Sequence, residues 1–178
     1  MSAQPAGRRA GRVMLVLAWA SGLLLATHFF GEWQARRDHP NAGTRSVHGD
    51  GYVELRLDAN RQGHYLLDGE IDGHGVTFLL DTGASQVAIP EGVAERLGLP
   101  RGTPVTLRTA NGLANGYATR LASLRLGDIH LDDVAALVAP GMPGDEVLLG
   151  MSALRRMEFS QRDGTLVLRH SQPSEVIP

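Results

Sequence analysis

The stretch FLLDTGAS, residues 78–85, carries an apolar run into an aspartate, followed by Thr82, Gly83, Ala84 and Ser85. Such a carboxylate has two readings. Asp81 can open an Asx-type turn, with Gly83 supplying a positive φ. Or Leu79 and Leu80 bring it in on a buried strand, away from easy solvation, where it is placed for general acid–base work. For the tripeptide alone the turn is the better reading. The apolar approach shifts the balance, because an unpaired buried carboxylate is costly and such costs gather at functional sites.

Other chemistries fail on residue type or spacing. GASQV (83–87) starts like a nucleophile elbow but lacks the last glycine and a strand-to-helix setting. DGEIDG (68–73) starts like a calcium loop, yet its twelfth position is Leu79 and not glutamate. The seven histidines are scattered, with no metal-ligand pairing, and His64 and His74 read as turn or strand-surface residues. There is no cysteine, so disulfides, thiolate nucleophiles and cysteine-bound zinc are excluded. All the basic charge is arginine, and no glycine-rich phosphate loop with its lysine is present. No metal and no cofactor are expected.

The elements that must position Asp81 are short strands. Residues 52–57 alternate, with Val53, Leu55 and Leu57 on one face and Glu54 and Arg56 on the other. A turn at 60–63 leads to a strand at 64–71, and a turn at 72–75 leads to 76–80, which ends at Asp81. Residues 90–97 read as a short helix, closed by Gly98 and Pro100. Strands follow at 105–109 and 117–126. Between them lie two Asn-Gly pairs, either of which can make a hairpin turn. Further strands are expected at 129–138 and 146–149, a short helix at 151–157, and a hairpin about Arg162, Asp163 and Gly164. The 22 glycines, many beside Asp, Asn or His, fit this turn-rich reading.

Composition narrows the partners. Aromatic residues are 5% and the formal net charge is -2, which argues against a nucleic-acid partner. Residues 13–30, VMLVLAWASGLLLATHFF, form an apolar run of about 27 Å as a helix, near the roughly 30 Å of a bilayer core. Arg8, Arg9 and Arg12 precede it, so the positive-inside rule puts the N-terminus in the cytoplasm and the rest outside, in the periplasm if the source is bacterial. Ala18-Trp19-Ala20 resembles a signal cleavage site, but the run continues well past it, which favours an anchor. The expected organisation is a basic tail at 1–12, a transmembrane helix at 13–30, a linker at 31–51, a β domain at 52–170 and a tail at 171–178.

Three features in order give the β domain a resemblance. They are FLLDTGAS (78–85), TANG (109–112) at a hairpin, and VLLGMSAL (147–154), with GHYLLDGEIDG (63–73) as lead-in. Together they resemble the retroviral-type (retropepsin-like) aspartic proteases, in particular the bacterial membrane-anchored, single-domain kind. The resemblance covers about residues 52–169. It implies an all-β, acid-protease-like closed barrel with short helices that forms half of a site, preceded by one transmembrane helix.

The resemblance also implies roles. Asp81 would be catalytic, with Thr82, Gly83 and Ala84 supporting its loop and Thr82 bonding across to the other half of the site. Thr109, Ala110, Asn111 and Gly112 would form a flap over a peptide substrate. Leu148, Leu149 and Gly150 would pack beside the catalytic loop, Gly150 by close backbone approach. No second Asp-Thr-Gly exists in the chain, so the partner aspartate would come from a second copy in a homodimer. Ala84-Ser85 leaves the outer hydrogen bonds of the loop open. A degenerate relative that binds peptides without cutting them is the alternative.

Overall fold

The computed structural model describes residues 6–109 and 112–171 and divides the chain into two units, residues 1–38 and 39–178. The first is a helix, α1 (Ala6–Asp38), in which residues 11–30 are long and apolar enough to cross a membrane, with none of that window buried. The helix runs eight residues past the apolar stretch.

The second unit contains β1 (Val47–Gly49), β2 (Tyr52–Asp58), β3 (Leu66–Ile71), β4 (His74–Leu80), β5 (Val87–Pro90), α2 (Glu91–Arg96), β6 (Pro104–Thr109), β7 (Gly112–Leu126), β8 (Ile129–Ala139), β9 (Val147–Leu149), α3 (Met151–Leu154), β10 (Glu158–Arg162) and β11 (Thr165–Ser171). Seven strands form one sheet in the order β3-β4-β9-β5-β8-β7-β6, and a further β3–β7 pairing closes it into a barrel. The other sheet is β1-β2-β11-β10. Alternation explains the packing. Val53, Leu55 and Leu57 are fully buried, as are Phe78, Ile89, Leu121, Leu124, Leu126, Leu149 and Leu154.

Two-residue turns set the registers. Asp72-Gly73 and Asp163-Gly164 take positive φ at both residues, the mirror-image turn that matches strand twist. The Asp72 carboxylate also accepts the Ser123 amide at 2.7 Å, fastening the β3–β4 turn to β7 where the barrel closes. Of the two Asn-Gly pairs only the first is at a turn: Thr109 pairs with Gly112, closing a loop whose residues 110 and 111 lie outside the described residues. Asn115-Gly116 is inside β7, opposite Thr106 and Val105. A side chain at 116 would meet Val138 O at 2.7 Å, so this glycine serves a close approach to β8 and not a turn.

Two expectations need correction. Residues 39–51 are not a free linker. Asn41 is buried and makes three hydrogen bonds, from its amide to Asp58 O and Leu66 O and from the Asp58 amide to its oxygen. β1 pairs with β2, and Ser46 Oγ accepts the Asp128 amide at 2.8 Å. The composition is polar because these residues satisfy backbone groups at the barrel's edge, work that polar side chains do as well in folded chain as in linker. Glu54, expected on the open face of its strand, is buried. Arg169 and Arg56 bond its two oxygens at 2.8 and 2.9 Å, and the Arg169 guanidinium lies 4.2 Å from the Tyr52 ring centroid.

The hydrogen bond from Arg169, then that from Arg56, hold the Glu54 carboxyl below its ordinary value against the opposing effect of burial. A carboxyl lowered by folding stabilises the native state above its unfolded value, about 4.3, and that contribution is lost as pH falls through the lower folded value. Glu54→Gln is therefore expected to cost about 1.5–3 kcal/mol at pH 7. Urea unfolding of the variant and the natural chain should converge as pH drops below 4.

Candidate active site

β4 delivers Asp81. Its neighbour β9 runs parallel, pairing Leu79 with Leu148 and Leu80 with Leu149, and the Asp81 amide donates to Leu149 O at 3.2 Å. The residues expected on either side of the catalytic loop are thus joined by main-chain bonds. β9 then ends at Gly150, which is buried against the loop. A Cβ at 150 would lie 2.2 Å from Gln86 O and 2.8 Å from Ala84 O, closer than any side chain tolerates. This proximity lets the Met151 amide reach Ala84 O at 2.8 Å.

The loop closes on itself as well. The Gly83 amide donates to Asp81 Oδ1 at 2.8 Å and the Ala84 amide to Asp81 O at 3.2 Å. The Asx turn and the poised carboxylate are therefore the same structure and not rivals. Gly83 is not among the residues with positive φ. Its contribution is space: a Cβ there would sit 3.1 Å from Asp81 Oδ1.

Ser152, which the sequence did not single out, completes the support. Its hydroxyl accepts the Val87 amide at 3.0 Å and donates to Ala135 O at 2.7 Å, tying α3 to the strand that leaves the loop and to β8. A single serine beside a glycine gives no periodic signal; only the close approach at Gly150 makes its position matter.

Leu79 and Leu80 are half-buried, and so is Asp81; Thr82 and Gly83 are exposed. The expectation of a carboxylate sunk on a buried strand does not hold within one chain. Phe78 is the last fully buried residue of β4, and the strand then emerges at the surface. The Thr82 hydroxyl has no hydrogen-bond partner among the described residues. Ala84 is half-buried against the 150–151 backbone.

The β6–β7 hairpin stands apart. Thr109 Oγ1 donates to Gly112 O at 2.9 Å at its tip, and Leu113 is 75% exposed there. Among the described residues no hydrogen bond joins this hairpin to the Asp81 loop; it is held through β7 by the long pairing with β8. Ala110 and Asn111, the middle of the expected flap, lie outside the described residues. Among those residues no group of three His, Asp or Glu side chains is arranged to hold a metal ion.

Residues 67–156 match the family described as "gag-polyprotein putative aspartyl protease". The chain belongs to the retropepsin-like aspartic protease family. The match begins in β3 and ends just past α3, so it takes in Asp81, the hairpin and Gly150. The retropepsin-like fold is seen also in a crystal structure of a retropepsin-like aspartic protease from Rickettsia conorii. That structure is 26% identical, has a TM-score of 0.57, and aligns over 68% of this chain and 92% of the other. An uncharacterized protein in the cobV 5′ region of a Sinorhizobium species is 34% identical over 125 residues, 68% of this chain. The present chain spans about half of that relative, 54% of its length.

The close approach at Gly150 makes a prediction. Gly150→Ala should cost about 1–3 kcal/mol, because the Asp81 loop must move to admit the methyl group. Gly92→Ala, where a Cβ meets nothing within 4 Å in α2, should be neutral or stabilising. Urea denaturation of the two variants measures the contrast.

Proposed function

We propose that the protein is a membrane-anchored aspartic endopeptidase whose site is built by two copies of the chain. The observation that carries this reading is the state of the loop at 81–84 in a single chain. It is rigidly backed by 149–152, yet it presents a half-exposed carboxylate and a threonine hydroxyl without a partner. A loop fixed on one side and open on the other is suited to meeting its own copy across a two-fold axis.

At such an axis two Asp81 carboxylates come within reach of one another and share a proton, aspartic proteases being the established example of such a pair. The ionised member takes a proton from a water as it attacks the peptide carbonyl. The protonated member polarises that carbonyl and afterwards donates to the departing amine. The two titrate as a unit and not as separate residues. Thr82 of each chain bonds across the axis, and the β6–β7 hairpin covers an extended peptide, which adds strand-like main-chain hydrogen bonds.

The helix α1 supplies the anchor, with Arg8, Arg9 and Arg12 on the cytoplasmic side and the barrel on the other. Confinement to a membrane raises the effective concentration of one chain for another.

Asp81→Asn in the full-length chain should abolish peptide cleavage, by at least about a thousandfold. It should leave the far-ultraviolet spectrum and the sedimentation of the chain unchanged. Digestion of a peptide library with both forms reads out activity and specificity together. Cleavage by the variant at the rate of the natural chain would remove Asp81 from the chemistry, and cleavage by neither would favour a peptide-binding module.

A further inference from the structure

β7 and β8 form one long ribbon that continues the β6–β7 hairpin, and the ribbon changes face part-way along. Residues on one face of a strand are an even number of positions apart. Yet Leu131 and Val134 are both buried in β8, and so are Leu121 and Leu124 in β7. Both strands lose a step of the alternation at the same place, and the pair 122–133 drops out of the ladder there. The two pieces dock differently. On the hairpin side, β8 runs along β5, the strand that leaves the Asp81 loop, from Ala136 to Ala139. On the far side, β7 pairs with β3 at Leu124 and Arg125.

The corner is built around one strained residue. Among the described residues three non-glycine positions take positive φ. Asp72 and Asp163 do so in two-residue turns, but Asp133, at φ 55°, does so in the middle of a strand. Backbone of that kind persists only where its surroundings hold it. Here the hold comes from Arg156, two residues past α3. Its guanidinium donates to Asp132 O and, at 2.8 Å, to Asp133 O. Successive carbonyls of an extended strand point to opposite edges, so one planar fork takes both only because residue 133 is turned. The Asp133 carboxylate also pairs with Arg120 at 2.7 Å, but both groups are exposed, and such pairs contribute little. Arg156 is itself fixed. Its amide donates to Ala153 O at 3.0 Å, and its carbonyl accepts from His170 Nδ1 at 3.0 Å.

One short segment thus serves two places. Its start, at Gly150 and Ser152, backs the Asp81 loop. Its end, at Arg156, grips the corner from which the hairpin is carried. We propose that Arg156 is a positioning residue of the site. By holding Asp133 left-handed, it fixes the pose of the β6–β7 hairpin relative to the Asp81 loop. This role rests on the reading of the hairpin as the cover of a bound peptide.

In the full-length chain, Arg156→Met keeps an unbranched stem and removes the fork. Hydrogen exchange should then quicken about tenfold at residues 113–121 and 134–138, and stay within about twofold at 66–71 and 124–126. Arg156→Lys, a charge without the fork, should behave as Arg156→Met does. Adding Asp133→Gly should return the rates to within about threefold of the natural chain, because glycine takes a positive φ unaided. In peptide cleavage, Arg156→Met should raise KM about fivefold with kcat within about twofold, and Asp133→Gly should restore KM. Exchange that does not change, that rises evenly on both sides of the corner, or that glycine does not rescue would overturn the grip. The expected exchange pattern with an unmoved KM would overturn its role in the site. The same pattern in a chain that cleaves no peptide would sustain the grip and sink the peptidase reading on which that role rests.

Discussion

Everything around Asp81 depends on how closely two stretches of main chain approach at Gly150. β9 runs parallel to β4, and a side chain at residue 150 would strike the main chain at 84–86. Because it carries none, the backbone at 84–86 comes to rest on it. The Asp81 amide then bonds Leu149 O, the Met151 amide bonds Ala84 O, and Ser152 holds Val87. The carboxylate's own bond to the Gly83 amide completes a loop with few remaining degrees of freedom. This is the order that the proposed acid–base chemistry needs in place before substrate arrives.

The clamp covers only one side of the loop. Asp81 is half-buried and Thr82 exposed, and the strand that delivers them emerges from the core after Phe78. A half-exposed aspartate beside an exposed threonine is what the proposed two-copy site would complete. The retropepsin-like barrel of a single chain has its own closed core, and the proposed chemistry needs a second copy beside it.

Much of this was legible from residue order. Period-two alternation located β2, and the Asp-Gly pairs at 72–73 and 163–164 located their turns, since both signals act over a few residues. The pairing of 78–85 with 147–154 was legible only through resemblance, because nothing local in either segment encodes the other. What was misread shares one cause. The polar residues 39–51 looked like linker, and Glu54 looked solvent-facing, but Asn41 and Glu54 are satisfied by groups distant in sequence. The burial of Asp81 was overestimated because Leu79 and Leu80 are apolar, and apolar character does not say whether the chain or a partner provides the cover. Gly83 was assigned a positive φ on residue type, whereas the loop needs it for room beside the carboxylate.

The central claim is that one chemical site takes an aspartate from each of two chains. It is tested most directly by mixing natural and Asp81→Asn chains in known ratios under conditions of full subunit exchange and measuring peptide cleavage at constant total protein. A shared site predicts activity proportional to the square of the natural fraction, so that an equal mixture retains about one quarter of full activity. Activity proportional to the fraction itself, with about one half retained, would contradict it.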